Sequence, residues 1–533
     1  MLSAVRLTNS RWFGHPSQGP TAIWEALVLP SKGESTMTFR LNRPWIATAI
    51  LAVSVTISPT VASAETSIVI GLQQEPTSLD PTADATASID GMLAQNVYES
   101  LTTVNEAGEV KPQLAESWTV SDDGLTYVFD LVDGATFHDG TGFDAEDVVF
   151  SFNRAMAEDS VNPTKKLFKP IESVSAADAG TIEIKLKQRD AFFLFNMAQG
   201  DASIVAPESV ETNNATPVGT GPFKYDSWTR GDKLVLTKNA DHRNAGSVSL
   251  DRVEFKFISD AAAASAALLS EEIDAFPGFP APELLPQFDA DPRFNVVVGS
   301  TEGEVILAMN NSKPPFNDVR VRKAINHAFD RGEIIEGAMY GSAVPIGSFY
   351  PPHGPAYVDL TGTYPHDTGK AKALFEEAGV AGSTMTLRVP PFPYATRSAE
   401  IIQAQLAEAG IDAKVENVEW GFWIDEIYKK KNYDMTIIAH TSPNDLSNFA
   451  RGPKYFYGYD DADYNDLWAR ISSEADPEAR NGLLKEAQKY LADQAVHGFL
   501  FQLPQLGVYK TGVDGFWPSR AVLFQPLAGV TVN

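Results

Sequence analysis

The stretch TMTLRVPPFPYATRSAEIIQAQLAEAGIDAKVENV, residues 384–418, contains one complete β-α-β unit. Its apolar patterning predicts strands at 384–389 and 411–418. Between them, residues 398–409 carry apolar side chains at helical spacing, and Gly410 ends that helix. Two strands joined by a helical crossover are parallel, with a right-handed connection. This part of the chain is therefore predicted to form an open α/β sheet.

A third strand is predicted at residues 435–439, and it leads into a long polar and aromatic loop. The loop reads HTSPNDLSNFARGPKYFYGY and spans residues 440–459. In an open α/β sheet, ligands bind outside the carboxyl ends of the strands. We therefore expect the loops at 390–397 and 440–449 to share one edge of the sheet. Residues 440–459 are the candidate binding wall.

Length and composition indicate a globular protein with more than one domain. The chain has 533 residues, of which 44% are hydrophobic and 21% are charged. Its formal net charge of −27 argues against nucleic acid as a partner, because nucleic-acid binding needs clustered Lys and Arg. The same acidity weakly indicates a cationic or neutral ligand. The sequence has no cysteine, which excludes disulfides, thiolate metal sites and a catalytic thiol.

The N-terminal region has the pattern of a secretory signal peptide. An apolar run at 45–61 follows two arginines and precedes Ala-Ser-Ala, which predicts cleavage after Ala64. Met37 stands at the right distance to be the start codon, so residues 1–36 are expected to be an extension. With no cysteine to accept a lipid, the exported product is expected to be a free periplasmic protein rather than a lipoprotein.

Several other elements can be predicted from local patterns. Residues 66–71 read as a buried strand, and residues 92–101 read as a helix with an apolar face. Asp122-Asp123-Gly124 is a hairpin signal. Asp144 is a candidate N-cap for the helix that follows it.

The motif search gives no catalytic, cofactor or metal site. His138-Asp139 is interpreted as a turn beside a hairpin, because two adjacent residues supply too few metal ligands. Gly219-Thr220-Gly221 lacks the third glycine of a dinucleotide-binding loop. HExxH and GxSxG motifs are absent from the sequence. We therefore expect no enzyme activity, no metal and no cofactor.

Four long stretches resemble the family 5 extracytoplasmic solute-binding proteins. The strongest is KPQLAESWTVSDDGLTYVFDLVDGATFHDGTGFDAEDVVFSFNRA, residues 111–155. The others are VGTGPFKYDSWTRGDKLVLTKNADH from Val218, VRVRKAINHAFDRGEIIEGAMYG from Val319 and EIIQAQLAEAGIDAKVENVEW from Glu400. The family serves ABC importers of oligopeptides, dipeptides, nickel complexes, opines and some oligosaccharides.

The resemblance implies a two-lobe periplasmic binding protein fold of the α/β class. Lobe I would comprise residues 65–300 and 506–533, with an extra subdomain at about 92–213, and lobe II residues 301–505. Two crossing segments, near 299–305 and 502–508, would form the hinge. A ligand bound between the lobes would favour the closed state.

The resemblance also implies two anchors for peptide ligands, and both are altered here. Phe392 stands where peptide-binding members carry an arginine for the ligand carboxylate. Ser442 stands where they carry an aspartate for the ligand amine, and Asp445 matches a later aspartate, although a short gap would reverse that assignment. Arg451 is a candidate replacement cation for a ligand carboxylate or phosphate, with simple solvation as the alternative. Free dipeptides are therefore not the expected substrate.

Aromatic residues complete the candidate site. Trp420 and Trp423 are expected to face the ligand as readily as the core, whereas Phe422 and Phe456 are expected in the core. His440 is expected to be a hydrogen-bonding residue, since no second histidine stands near it in sequence. The candidate ligand-binding residues are Thr86, Ala87, Ser88, Phe392, Tyr394, Trp420, Trp423, His440, Ser442, Asn444, Asp445, Arg451 and Tyr455.

The sequence thus predicts a periplasmic receptor that captures a small organic solute and delivers it to the permease subunits of an ABC importer. A peptide-like or opine-like conjugate is favoured, with an oligosaccharide as the alternative and a metal complex behind both. An exported hydrolase is the rival from another class. We expect the receptor to be a monomer.

Overall fold

The computed structural model describes residues 65–84, 86–441 and 445–533. The predicted signal peptide and extension lie outside these residues. So do the candidate site residues Ser442 and Asn444.

The described residues form nineteen strands. They are β1 (Ser67–Leu72), β2 (Thr102–Val104), β3 (Val110–Pro112), β4 (Ala115–Val120), β5 (Thr126–Leu131), β6 (Ile171–Asp178), β7 (Thr181–Leu186), β8 (Phe223–Thr229), β9 (Lys233–Lys238), β10 (Arg252–Phe257), β11 (Ala275–Phe276), β12 (Phe294–Met309), β13 (Val344–Pro345), β14 (Thr384–Val389), β15 (Asp412–Asn417), β16 (Met435–His440), β17 (His497–Lys510), β18 (Val513–Asp514) and β19 (Thr531–Val532).

Twelve α-helices accompany these strands in the described part of the chain. They are α1 (Ala87–Leu93), α2 (Ala145–Met156), α3 (Phe193–Asn196), α4 (Ala261–Leu269), α5 (Leu285–Asp289), α6 (Val319–Ala328), α7 (Arg331–Met339), α8 (Thr368–Glu377), α9 (Pro393–Glu408), α10 (Trp420–Phe422), α11 (Ala462–Ser473) and α12 (Pro477–Asp493).

One large mixed sheet runs through both lobes, in the order β15-β14-β16-β12-β17-β11-β1-β10-β9-β8. β14 pairs in parallel with β15 and with β16, as the β-α-β unit predicts. β16 pairs antiparallel with β12, so that His440 lies opposite Glu304. The carboxyl ends of β14, β15 and β16 therefore meet at one edge of the second lobe.

The long strands β12 and β17 connect the two lobes. Residues 294–300 pair with 504–510, and residues 304–308 pair with 497–502. The ladder is interrupted between Ser300 and Glu304, where the register shifts. Pro504 contributes to this break, because proline has no N–H to donate to a ladder. Two extended segments with a local break are the hinge that the resemblance implied.

A separate four-stranded sheet, β4-β5-β7-β6, belongs to the first lobe. Asp122 and Gly124 form the predicted turn between β4 and β5, and Gly124 has a φ of 69°, which glycine adopts without strain. Its apolar face packs against α2 around Phe129, Phe152 and Ile184, all of them buried. This sheet lies inside the range predicted for the extra subdomain.

Side chains of Asp144 and Asp139 stabilise a helix start and a turn in the first lobe. The side chain of Asp144 accepts from Glu146 N, and Asp147 bonds back to the backbone of Asp144, so the predicted N-cap of α2 is confirmed. Asp139 accepts from both the backbone and the hydroxyl of Thr141, as a turn residue does. Burial lowers the pKa of the neighbouring His138 to about 4.

Two predicted helix boundaries are wrong. The helix expected at 92–101 is instead α1, and residue 95 already has a φ of 67°. The following residues are buried in irregular backbone, so their apolar spacing reflects core packing. Helix α9 begins at Pro393 rather than at residue 398, because proline is well suited to the first helical position. The loop after β14 is therefore shorter than predicted.

The described residues belong to a single compact unit. Among them, no helix combines the length and apolar character needed to cross a lipid bilayer.

Candidate functional site

A cavity of about 810 Å³ lies between the two lobes, next to the hinge. This volume falls within the range of roughly 300 to 1,000 Å³ that small-molecule sites occupy. The first lobe, the hinge and the second lobe all contribute side chains. The lining residues are 107–110, 120–122, Gly124, Tyr127, 189–192, Leu194, Phe195, Glu302, Glu304, 349–351, 353–355, Asp445, Leu446, Ala475, Pro477, Arg480, Asn481, Leu484 and Ala521.

The break in the β12–β17 ladder supplies two carboxylates at the hinge end of the cavity. The backbone between Ser300 and Glu304 leaves the regular ladder. Thr301 stabilises this segment, since its hydroxyl donates to Leu503 O at 2.8 Å and accepts from Gly303 N at 2.9 Å. As a result, Glu302 and Glu304 both line the cavity.

His353 holds the first of these carboxylates in place. Its Nε2 donates to Oε1 of Glu302 at 2.8 Å, and its Nδ1 lies 2.8 Å from the hydroxyl of Ser300. Burial raises the pKa of Glu302, against the lowering effect of His353. The side chain of Glu302 is therefore fixed by His353, which also bonds to Ser300 of the hinge.

Glu304 is the most deeply buried acidic group of the cavity. It is 3% exposed, and its Oε2 has no hydrogen-bond partner among the described residues. Burial, and after it the negative charges of Glu302 and Asp445, raise the pKa of Glu304 well above its usual value. Three carboxylates thus share the hinge end of the cavity.

Asp445 is the candidate residue of the predicted wall that lines this cavity. It is 7% exposed and accepts a hydrogen bond from Asn448 Nδ2 at 2.8 Å. Nδ1 of His440 lies 3.7 Å from Oδ2 of Asp445. Burial, together with the charge of Arg451, lowers the pKa of His440 to about 3. His440 is therefore neutral at physiological pH and forms no ion pair with Asp445.

Another part of the cavity lining takes part in a contact between the lobes. Phe192 of the first lobe stacks on Trp468 of the second, with ring centroids 6.0 Å apart and an angle of 4° between the planes. The guanidinium of Arg480 lies over the same Phe192 ring, 5.5 Å from its centroid. Beside it, Ala191 N donates to Ser472 O at 2.9 Å. These contacts join the segment between β7 and α3 to helices α11 and α12.

A second contact between the lobes lies further along the second lobe. Nη2 of Arg397, on α9, is 3.4 Å from Oε1 of Glu283 in the first lobe. Both side chains are about one-third exposed, so this pair contributes little on its own.

Several predicted aromatic residues form a continuous row away from the cavity lining. Phe392 stacks on Tyr394 with centroids 5.8 Å apart, and its ring lies 5.3 Å from Trp420. Trp420 in turn stacks on Trp423 at 5.1 Å and 8°. Trp420 is 42% exposed, whereas Trp423 is 3% exposed and donates its indole N–H to Thr436 Oγ1.

The row continues into the second lobe's core. Tyr455 is 8% exposed, and the guanidinium of Arg451 lies 3.9 Å from its ring centroid. Phe456 is 1% exposed, which confirms its predicted core position. Phe422 is 44% exposed, so the core prediction for it is wrong. It is the last residue of the short helix α10.

The candidate residues of the first lobe lie at the start of α1. Thr86 is the N-cap residue, and its hydroxyl bonds to Oδ1 of Asp84 at 2.7 Å. Ala87 and Ser88 occupy the first turn. Of these three, none is among the residues that line the cavity between the lobes.

Sequence reasoning missed most of the cavity residues. Glu302-Gly303-Glu304 falls inside the predicted hinge, so the two carboxylates could have been predicted to lie near the cleft. The contributions of Phe192, His353 and Arg480 had no such signal, because they come from segments far apart in sequence. The described residues also contain no group of His, Asp and Glu that could hold a metal ion.

Comparisons with known proteins identify the family. The family model for bacterial extracellular solute-binding proteins, family 5 Middle, matches residues 109–460. The glutathione-binding protein GsiB of Escherichia coli strain K12 is 28% identical over 498 residues, which cover 89% of this chain and 94% of GsiB. GsiB of Salmonella typhi is 27% identical over 505 residues, covering 90% and 97%.

Solved structures agree with the fold. The ABC transporter-associated periplasmic binding protein DppA of Helicobacter pylori, in complex with the peptide STSA, has a TM-score of 0.75 at 27% identity, covering 87% of this chain and 98% of DppA. The binding protein AgaA of A. tumefaciens R10, in complex with agropinic acid, also has a TM-score of 0.75, at 25% identity, with 88% and 99% covered. The family match and these structures confirm the two-lobe fold, and this chain belongs to the family 5 bacterial extracellular solute-binding proteins, the binding components of ABC transporters.

Proposed function

We propose that this protein captures a peptide-like or opine-like conjugate in the cavity between its lobes and delivers it to the permease subunits of an ABC importer. The observation that carries the proposal is the cavity itself, which both lobes and the hinge line together. A ligand that touches all three parts favours the closed arrangement, because those contacts exist together only when the lobes meet.

The chemistry of the relatives supports the ligand class. GsiB is named as a glutathione-binding protein, DppA was solved with a peptide, and AgaA was solved with agropinic acid. All three ligands are small polar organic molecules. The cavity volume of about 810 Å³ suits a ligand of that size.

An oligosaccharide is the second candidate, and aromatic side chains in the cavity favour it. Tyr127, Phe192, Phe195, Phe349 and Tyr350 all contribute to the lining. Aromatic faces can stack on sugar rings as well as on peptide planes. The mass of a bound compound separates the two candidates.

The predicted division of the chain is part of the proposal. Residues 65–300 with 506–533 form lobe I, with an extra subdomain at about 92–213, and residues 301–505 form lobe II. Support comes from the break in pairing between β12 and β17 after Ser300. We propose cleavage of the signal peptide after Ala64, a periplasmic monomer, and no catalysis.

Native mass spectrometry tests this function. The protein is measured as purified, and again after incubation with the low-molecular-mass fraction of yeast extract followed by repurification. We expect one retained compound per chain, released unchanged on denaturation. Failure to retain any compound would contradict the solute-binding proposal, and a compound released in altered form would indicate a hydrolase.

A further inference from the structure

The first-lobe wall of the cavity comes from one part of that lobe. Among the described residues, those that line it from the first lobe lie within 107–110, 120–127 and 189–195, and Ala521 is the one exception. All three ranges belong to the extra subdomain proposed at about 92–213. The second lobe lines the cavity from 349–355 and 445–484. The extra subdomain is therefore the part of the first lobe that faces the second lobe across the cavity.

A short segment of this subdomain, residues 189–192, contacts the second lobe directly. Ala191 N donates to Ser472 O at 2.9 Å. The ring of Phe192 stacks on Trp468. Strand β7 ends at residue 186 and α3 begins at residue 193, so residues 189–192 belong to neither element. Their position is consequently not set by the hydrogen bonds of a strand or a helix.

Arg189 attaches this segment to the turn between β4 and β5. Its Nε donates to Asp123 O and its Nη2 donates to Asp122 O, both at 3.1 Å. A guanidinium holds its donors in a rigid fork, so two such bonds define its position. The turn accommodates this approach, because a Cβ added to Gly124 would lie 2.6 Å from Nε of Arg189.

We propose that residues 189–192 are a latch that closes the cavity onto the second lobe, and that Arg189 is the positioning residue that holds this latch against the 122–124 turn. The latch controls how fast a ligand leaves, because the lobes must separate before the cavity opens. This role in retaining a ligand rests on the proposed function. The contact between the lobes does not, and it can be measured in the ligand-free protein.

The test compares the wild type with Arg189→Met, Arg189→Lys and the control Arg470→Met. Methionine removes both donated hydrogen bonds and keeps an unbranched side chain. Lysine keeps the charge and can still donate to one of the carbonyls. Arg470 lies on α11, is 59% exposed and has Nη1 3.7 Å from Oε1 of Glu486, which also belongs to the second lobe. Circular dichroism and thermal unfolding verify that each variant folds.

Hydrogen exchange of the Ala191 amide in the ligand-free protein is the deciding measurement, because its acceptor, Ser472 O, belongs to the other lobe. In Arg189→Met this amide should exchange about 2- to 12-fold faster, the range expected when a hydrogen bond of ordinary net strength is lost. Arg189→Lys should restore part of the protection, and Arg470→Met should match the wild type. The amides between β5 and β7 should exchange equally in all four proteins, which shows that the sheet stays intact.

The dissociation rate of the compound retained from yeast extract measures the effect on the ligand. It should rise by up to the same factor in Arg189→Met and stay unchanged in Arg470→Met. Arg189 itself lines the cavity, so a direct contact with the ligand could also change this rate. Such a contact would leave the exchange of Ala191 in the ligand-free protein unchanged.

Two results overturn the proposal. Unchanged exchange at Ala191 in a folded Arg189→Met variant refutes the positioning role of Arg189. Faster exchange with an unchanged dissociation rate refutes the control of ligand release by the latch. If no compound is retained, the proposed function fails and the control of release fails with it, while the exchange at Ala191 still decides the role of Arg189. If Arg189→Met does not fold, Arg189→Lys against the wild type decides the same questions.

Discussion

Replacing Trp468 with alanine should weaken ligand binding without changing any residue that lines the cavity. Trp468 is not among the lining residues, but its indole stacks on Phe192 across the gap between the lobes, at 6.0 Å and 4°. The substitution removes this ring contact and the packing of the indole on the second lobe's core. The hydrogen bond from Ala191 N to Ser472 O and the contact of Arg480 with Phe192 remain.

The expected size of the effect follows from that single contact. A stacked aromatic pair contributes about 0.5 to 1.5 kcal/mol beyond the area it buries. If the contact forms only when the lobes close, its loss reduces the ratio of closed to open molecules by about 2- to 12-fold. Because the ligand binds the closed state, the dissociation constant should rise by up to the same factor.

Two measurements check this prediction. Isothermal titration with the compound retained from yeast extract gives the dissociation constants, and small-angle X-ray scattering without ligand reports whether Trp468→Ala is more open. Trp468→Phe keeps a ring against Phe192 and should restore most of the affinity. Trp118→Ala is the control, because Trp118 contacts Phe129 within the extra sheet and does not span the lobes. Unchanged affinity and unchanged scattering in a folded Trp468→Ala variant would refute the reasoning.

Three further predictions concern stability. Glu304→Gln should raise the melting temperature of the ligand-free protein at neutral pH, because burial and two neighbouring carboxylates raise the pKa of Glu304 and penalise its charged form. This gain in melting temperature should vanish below about pH 4.5, where the carboxyl is protonated in the folded and the unfolded protein alike. An unchanged melting temperature at neutral pH would contradict the prediction. Burial raises the pKa of Glu99, but hydrogen bonds from His242 and Arg243 outweigh it and lower the pKa from 4.5 to about 2. This shift contributes about 3 kcal/mol to the unfolding free energy at neutral pH, and the contribution is lost as the pH falls from 4.5 to 2. Arg243→Met should therefore cost about 3 to 5 kcal/mol of unfolding free energy at neutral pH, measured by urea denaturation, and a loss below 1 kcal/mol would argue against a strong buried pair. Trp423→Ala should cost about 3 to 5 kcal/mol because the indole is in the core, whereas a loss of affinity without a loss of stability would return Trp423 to the binding site.

The predicted β-α-β unit was accurate because its signals are local. The strand at 384–389 matches β14 residue for residue. β15 is one residue shorter than predicted at each end, and β16 is one residue longer at its C-terminal end. Alternating apolar residues, a glycine after a helix and an Asp at an N-cap act through neighbours within a few positions. The helix predicted at 92–101 failed for the converse reason, because its apolar residues are buried by the rest of the first lobe and not by a helical face.

The candidate site was harder to predict. Asp445, a residue of the candidate binding wall, does line the cavity. Trp423 and Tyr455 are of residue types that are common in binding surfaces, yet both are buried in the second lobe's core. The roles of Phe392, Tyr394, Trp420, His440 and Arg451 stay predictions, since these residues line no part of the cavity.

The sequence by itself determined the family, the α/β class, the strands of the β-α-β unit and its neighbour, and the segments that cross between the lobes. These depend on local spacing and on motifs that are contiguous in the chain. Only the tertiary structure decided which carboxylates share one cavity. Glu304 and Asp445 are far apart in sequence, and they meet because β16 pairs with β12 at His440 opposite Glu304. A strand register is set by packing across the whole sheet, so no local pattern could reveal that Glu304 is buried beside other negative charges.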